Sequence, residues 1–139
     1  MTTRHIKSYS VNSSNSNLTS SNGSKVDTPE FFYKDNMRIN WTINDATKTA
    51  VNMTGYTFTL KLAGSYNGTP LLTVSNSSFG AINLSAGTMY CLVDLDQADI
   101  LAYITGVASK TAYCSLWATK GGIDYLLAGF SLTLKNIIF

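Results

Sequence analysis

Met37-Arg38-Ile39-Asn40-Trp41-Thr42-Ile43 and Tyr56-Thr57-Phe58-Thr59-Leu60-Lys61-Leu62 decide the fold of this chain. In each, large apolar side chains stand at every second position with polar residues between them. Successive side chains of a strand point to opposite faces, so this alternation builds a sheet with one buried side. A helix needs apolar residues three and four apart, and neither stretch has that spacing.

The neighbouring segments repeat the theme. Asn67-Gly68 is hairpin chemistry, because a type I′ turn needs positive φ at both central residues. It leads into a strand over Pro70 to Val74, where proline is tolerated at the first position. Ala81 to Leu84 and Thr88 to Leu95 read as two more strands across Ser85-Ala86-Gly87. Asp96 to Tyr103 breaks the pattern: an acidic N-cap at Asp96 and a second acid at Asp99 predict a short helix, stopped by Gly106. Thr111 to Thr119 alternates Tyr113 and Trp117 against Cys114 and Leu116. Lys120-Gly121-Gly122 turns the chain into a long last strand, Ile123 to Lys135, in which Gly129 is the expected bulge. Seven or eight closely spaced strands with one helical turn predict an all-β antiparallel sandwich or barrel.

The chain has 139 residues, enough for one domain. Its N-terminal part differs in kind. Ser8 to Ser24 is nearly all Ser, Asn, Thr and Gly, and three of the ten Lys and Arg precede Val26 while all eight acids follow it. So little apolar surface does not offset the entropy of ordering, so residues 1–25 read as a flexible arm and 26–139 as the domain. Such an arm is either a solvated tail or a strap that orders on a neighbour, with Ile6, Tyr9, Val11 and Leu18 as its anchors.

Composition excludes several kinds of chemistry. Charged residues make up 13 % and the net charge is +2, far too mild to neutralise many phosphates, so direct nucleic-acid binding is not expected. No apolar run approaches the roughly 18 residues of a membrane span. The N-terminus lacks the apolar stretch of a secretory signal. Without export, Cys91 and Cys114 read as buried thiols and the Asn-X-Ser/Thr sequons as by-products of a Ser-, Thr- and Asn-rich chain. The one histidine, His5, lies in the arm, so no Ser/His/Asp or Cys/His set assembles in the domain. Neither cysteine neighbours a cation that would activate it. Asp94, Asp96 and Asp99 form the acidic cluster; Asp94 and Asp96 on a continuing strand would share a face toward a cation, but helix capping explains Asp96 and Asp99 without an ion. No enzyme, cofactor or metal is expected. Trp41, Trp117 and the eight tyrosines either fill the core or form a platform for sugar rings.

The order of elements carries a resemblance. Phe32-Tyr33-Lys34-Asp35-Asn36 precedes the Arg38 to Ile43 strand. Asn52-Met53-Thr54-Gly55-Tyr56 leads into the next, and Gly80-Ala81-Ile82-Asn83-Leu84 precedes Met89 to Leu95. Finally Ala112 to Trp117 pairs with a strand reaching Leu126-Leu127-Ala128-Gly129-Phe130. Over residues 30–135 this resembles the immunoglobulin-like β-sandwich at the N-terminus of upper baseplate proteins of tailed bacteriophages, and related small virion proteins. The resemblance implies an Ig-like sandwich without catalytic residues, joining virion parts as a baseplate, tail, neck adaptor or capsid-decorating subunit. It further implies other virion structural proteins as partners, a symmetric homo-oligomer, and assembly into the virion in the host cytoplasm. The chain ends at Phe139, soon after the domain, which favours an adaptor over a host-binding protein. The apolar end Ile137-Ile138-Phe139 is either the last core strand or a contact made by strand addition. The rival function is a module that recognises a host glycan.

Overall fold

The computed structural model describes residues 5–12, 17–20, 29–45, 47–65 and 68–136. Among these residues, ten strands form two five-stranded sheets packed face to face. The strands are β1 (His5–Asn12), β2 (Asn17–Ser20), β3 (Glu30–Phe32), β4 (Asn36–Asn44) and β5 (Thr57–Ala63), then β6 (Pro70–Val74), β7 (Phe79–Asn83), β8 (Thr88–Asp94), β9 (Ser109–Lys120) and β10 (Ile123–Lys135). One sheet runs β2-β1-β4-β8-β7 and the other β3-β10-β9-β5-β6. With β4 to β10 taken as strands B, C, C′, D, E, F and G, these orders contain B-E-D and G-F-C-C′. That is the immunoglobulin-like arrangement.

Alternation fixes what each face meets. Met37, Ile39, Trp41 and Ile43 of β4 are buried, and so are Phe58, Leu60 and Leu62 of β5. On β9 the inward set is Cys114 and Leu116, with Tyr113 and Trp117 half-buried on the outer face. Every buried side-chain nitrogen and oxygen among the described residues has a hydrogen-bond partner.

The largest departure from the sequence reading is at the N-terminus. Part of the stretch read as a flexible arm is the strand β1, which lies beside β4 in parallel register from His5 opposite Met37 to Asn12 opposite Asn44. Tyr9 and Val11 are buried in the core. The boundary expected between residues 25 and 26 lies outside the described residues, but the sandwich already begins at β1. The physical reason is that β4 supplies a ready ladder of backbone partners, so two inward apolar residues at period two suffice to seat the strand. A second parallel pair joins β3 to β10. The sandwich is therefore antiparallel except at these two N-terminal strands.

Two smaller differences have local causes. The helix α1 spans Ala98–Ile104, with Gln97 rather than Asp96 at its N-cap. Asp94 Oδ1 accepts the Asp96 N–H at 3.0 Å, which holds Asp96 in a turn before the helix. Ile100 and Ile104, four apart, both face the core. The bulge in β10 falls between Leu126 and Ala128, not at Gly129. It leaves Leu126 exposed and turns Leu127 and Ala128 both inward.

Candidate functional site

The residues named from sequence as assembly contacts divide into three groups. Ile6 is 67 % exposed on the outer side of β1. Tyr9 and Val11, expected as anchors on a neighbour, belong instead to this chain's own core, where the Tyr9 and Trp41 rings lie 5.6 Å apart between centroids. Leu18 stands opposite Val11 in the β1–β2 pair. Ile137, Ile138 and Phe139 lie outside the described residues.

Sequence reasoning missed an apolar patch at the β9–β10 hairpin. Ile123 is 56 %, Tyr125 45 % and Leu126 44 % exposed. These residues precede the bulge, where alternation gives way to the run Tyr125-Leu126-Leu127-Ala128. That loss of period was the available signal. Tyr125 meets Tyr56 edge-to-face at 6.1 Å, and the Lys120 ammonium lies 5.1 Å from the Tyr56 ring. Singly exposed apolar residues are ordinary, but Ile123 and Tyr125, two apart, share one side of the hairpin tip and form a surface that water wets poorly, while Leu126 stands on the other side in the row of Trp117.

Among the described residues the chemistry-bearing side chains do not gather. Cys91 and Cys114 are free and buried. Burial pushes the Cys91 thiol up to about 11, only partly offset by the Trp41 hydrogen bond. Burial raises Cys114 as well, and the neighbouring Cys91 adds to it. Thiols so held are poor nucleophiles. Burial also lifts the Tyr9 hydroxyl to about 12, with a further contribution from Cys114. Among the described residues no three His, Cys, Asp or Glu side chains come together as metal ligands would. In the same residues no helix is long and apolar enough to cross a membrane.

The outer face of the β3-β10-β9-β5-β6 sheet carries a cleft of about 400 Å³. Its floor crosses three strands through Lys61, Ser115 and Gly129, which stand side by side in register. Trp117 and Tyr113 border it, and Ser65, Gly68 and Pro70 of the β5–β6 hairpin line it as well. Trp117 is held in place, its indole N–H donating to Ser115 Oγ at 2.9 Å. Of the two tryptophans, Trp41 thus fills the core while Trp117 faces outward.

No protein-family model and no curated protein sequence matches the chain. Among solved structures, the fold is similar to the N-terminal domain of phage TP901-1 ORF48, with a TM-score of 0.50 and 15 % identity over 97 % of this chain and 99 % of that one. A more distant likeness, TM-score 0.37 at 10 % identity over 96 % and 95 % of the two chains, is to the cysteine protease inhibitor EhICP2 from Entamoeba histolytica. The first likeness extends from one end of both chains to the other, and what it establishes is a shared sandwich architecture.

Proposed function

We propose that this chain is a bacteriophage virion structural protein, a rigid Ig-like body that joins virion parts without catalysis. The observation that carries the reading is the end-to-end fold likeness to a phage protein domain, covering 97 % of this chain. Three features support it. The thiols are buried, the charge is low, and the exposed surface includes the apolar hairpin tip at Ile123 and Tyr125.

In this reading the contacts to other virion proteins are made by that hairpin and by Ile6 on the outer side of β1. Tyr9 and Val11 contribute to stability instead. A ring or other closed symmetric oligomer would repeat the same small contact many times, so a modest patch suffices per subunit.

The test is incorporation. Density-purified particles of the phage that encodes the chain should contain it in fixed stoichiometry by quantitative mass spectrometry. Ile123→Thr combined with Tyr125→Ser should leave folding intact and lower its occupancy in particles several-fold. Particles free of the wild-type chain would overturn the reading.

A further inference from the structure

We infer that the outer face of the β3-β10-β9-β5-β6 sheet is a binding site for a neutral oligosaccharide, with one sugar ring on each side of Trp117. The inference is independent of the virion role and rests on how three strands place their outward residues. Register sets Thr59, Trp117 and Leu126 in one row and Lys61, Ser115 and Gly129 in the next, with Ala63, Tyr113 and Ser131 in a third. Over β9 and β10 the middle row is low, because Gly129 has no side chain and Ser115 a short one; on β5 the row ends in the exposed Lys61. A trough therefore runs across the strands between the Trp117 and Tyr113 rows.

Trp117 also borders a second depression on its other side, about 120 Å³, with Thr59, Lys61, Thr119 and Asp124. Lys61 lines both. The indole is thus a partition between two adjoining hollows, and its bond to Ser115 Oγ fixes the ring before any ligand arrives. A preformed aromatic face costs less ordering on binding than a mobile one.

The chemistry of the lining selects the ligand class. A pyranose ring presents an apolar C–H face and a rim of hydroxyls that both donate and accept. Aromatic faces carry the negative lobe of a quadrupole and suit the first. The hydroxyls have matching partners on both sides. Ser115 accepts from the indole yet retains its own O–H, Lys61 donates, and the Asp124 carboxylate accepts. Asp124 is oriented by a bond from the Thr119 hydroxyl. Lys61 and Asp124 offset each other in charge, so neither an anion nor a cation is favoured. The larger hollow falls within the roughly 300–1,000 Å³ typical of small-molecule sites.

The experiment titrates the full chain with maltotriose, cellotriose and chitotriose, three neutral oligosaccharides of different linkage and ring substitution. It follows tryptophan fluorescence and backbone amide shifts. Saturable binding of at least one is expected, with shifts confined to β5, β9 and β10. Trp117→Ala should weaken it at least about tenfold, the effect of losing a stacking anchor of about 1.4 kcal/mol. Gly129→Val supplies a second variant that keeps the fold. Its φ lies outside the left-handed region, and an added Cβ meets only Leu126 Cδ2, at 3.9 Å. The larger side chain fills the trough and should weaken binding to a similar extent. No saturable binding to any of the three sugars overturns the inference, as does binding that Gly129→Val leaves unchanged. A concentration-dependent dimer that Gly129→Val dissolves would assign the trough to a second copy of the chain and overturn it too. None of these outcomes touches the virion reading, which is decided by particle composition.

Discussion

Trp41 Nε1 donates to the sulfur of Cys91 at 3.4 Å, on adjacent strands of one sheet and in the middle of the core. The bond gives the buried indole N–H its partner and makes the two residues a unit. Removing the sulfur in Cys91→Ala leaves that donor unpaired and should cost about 1–3 kcal/mol. Trp41→Phe removes the donor and some packing near Tyr9 and Phe130. The double variant should cost measurably less than the sum of the singles, as a double-mutant cycle in urea would read. Strict additivity would mean that the sulfur contributes only volume.

Stability should be flat around neutrality and fall above about pH 9. Cys91 is raised from 9.0 to about 11 by burial, so the folded state retains a proton that the unfolded chain has lost between those values. Stability therefore declines as pH rises wherever the native state binds more protons, by up to about 1.4 kcal/mol per pH unit for one group. Cys114 and Tyr9, shifted in the same direction, extend the decline upward. Cys91→Ala should reduce the slope between pH 9 and 11 in denaturant titrations. A profile unchanged by that substitution would place the sensitivity elsewhere.

Because β1 belongs to the sandwich, Val11→Ala should lower unfolding stability by about 1–2 kcal/mol and Tyr9→Ala by about 3–4 kcal/mol. Ile6→Ser, on the exposed side of the same strand, should stay within about 0.5 kcal/mol. Equal and negligible effects at Tyr9 and Val11 would return this segment to the status of a loose arm.

The strands that carry the core were legible because their alternation is uninterrupted. Residues 37–43 and 56–62 show which side faces in, and the structure buries that side, Tyr56 only in part. Segment β1 was illegible for the opposite reason: Tyr9-Ser10-Val11 is too short an alternation to stand out in a Ser- and Asn-rich stretch. It is ordered by β4, a partner distant in sequence. For β9 the pattern gave two faces of similar size, Tyr113 and Trp117 against Cys114 and Leu116, and only sheet packing decides between them. The trough beside Trp117 depends on the registers of three strands, which no local pattern encodes. The hairpin patch follows from a bulge one residue beyond Leu126, displaced from the glycine where local chemistry placed it.

Two glycines of positive φ separate conformational strain from collision. Gly87 has φ 74°, and a Cβ there would lie 2.6 Å from the Ile43 carbonyl oxygen and 2.7 Å from that of Val51. Backbone atoms cannot step aside, so Gly87→Ala should cost about 3 kcal/mol or more, combining strain with displacement of the loop. Gly106 has φ 84° with nothing within 4 Å of the added carbon. Gly106→Ala should cost only about 1–2 kcal/mol, the left-handed penalty alone. Thermal unfolding of the two variants measures the difference, and similar melting temperatures would contradict the packing around Gly87.

Gly80 shows why a better strand former can still destabilise a strand. It lies opposite Tyr90 in the β7–β8 pair, and a Cβ at Gly80 would fall 2.2 Å from the Tyr90 ring. The ring covers the glycine on the outer face of the sheet, and the Arg38 guanidinium sits 3.9 Å from its centre on β4. An aromatic side chain shielding an edge glycine compensates for the missing side chain. Gly80→Ala must push the ring aside and disturb its contact with Arg38, so it should destabilise by about 1–2 kcal/mol despite alanine's smaller backbone entropy cost. Tyr90→Ser removes the obstruction and loses the cover. In that background Gly80→Ala should become neutral or stabilising, because the collision is gone and only the entropy gain remains. A penalty for Gly80→Ala that persists in the Tyr90→Ser background would show that the ring is not the cause.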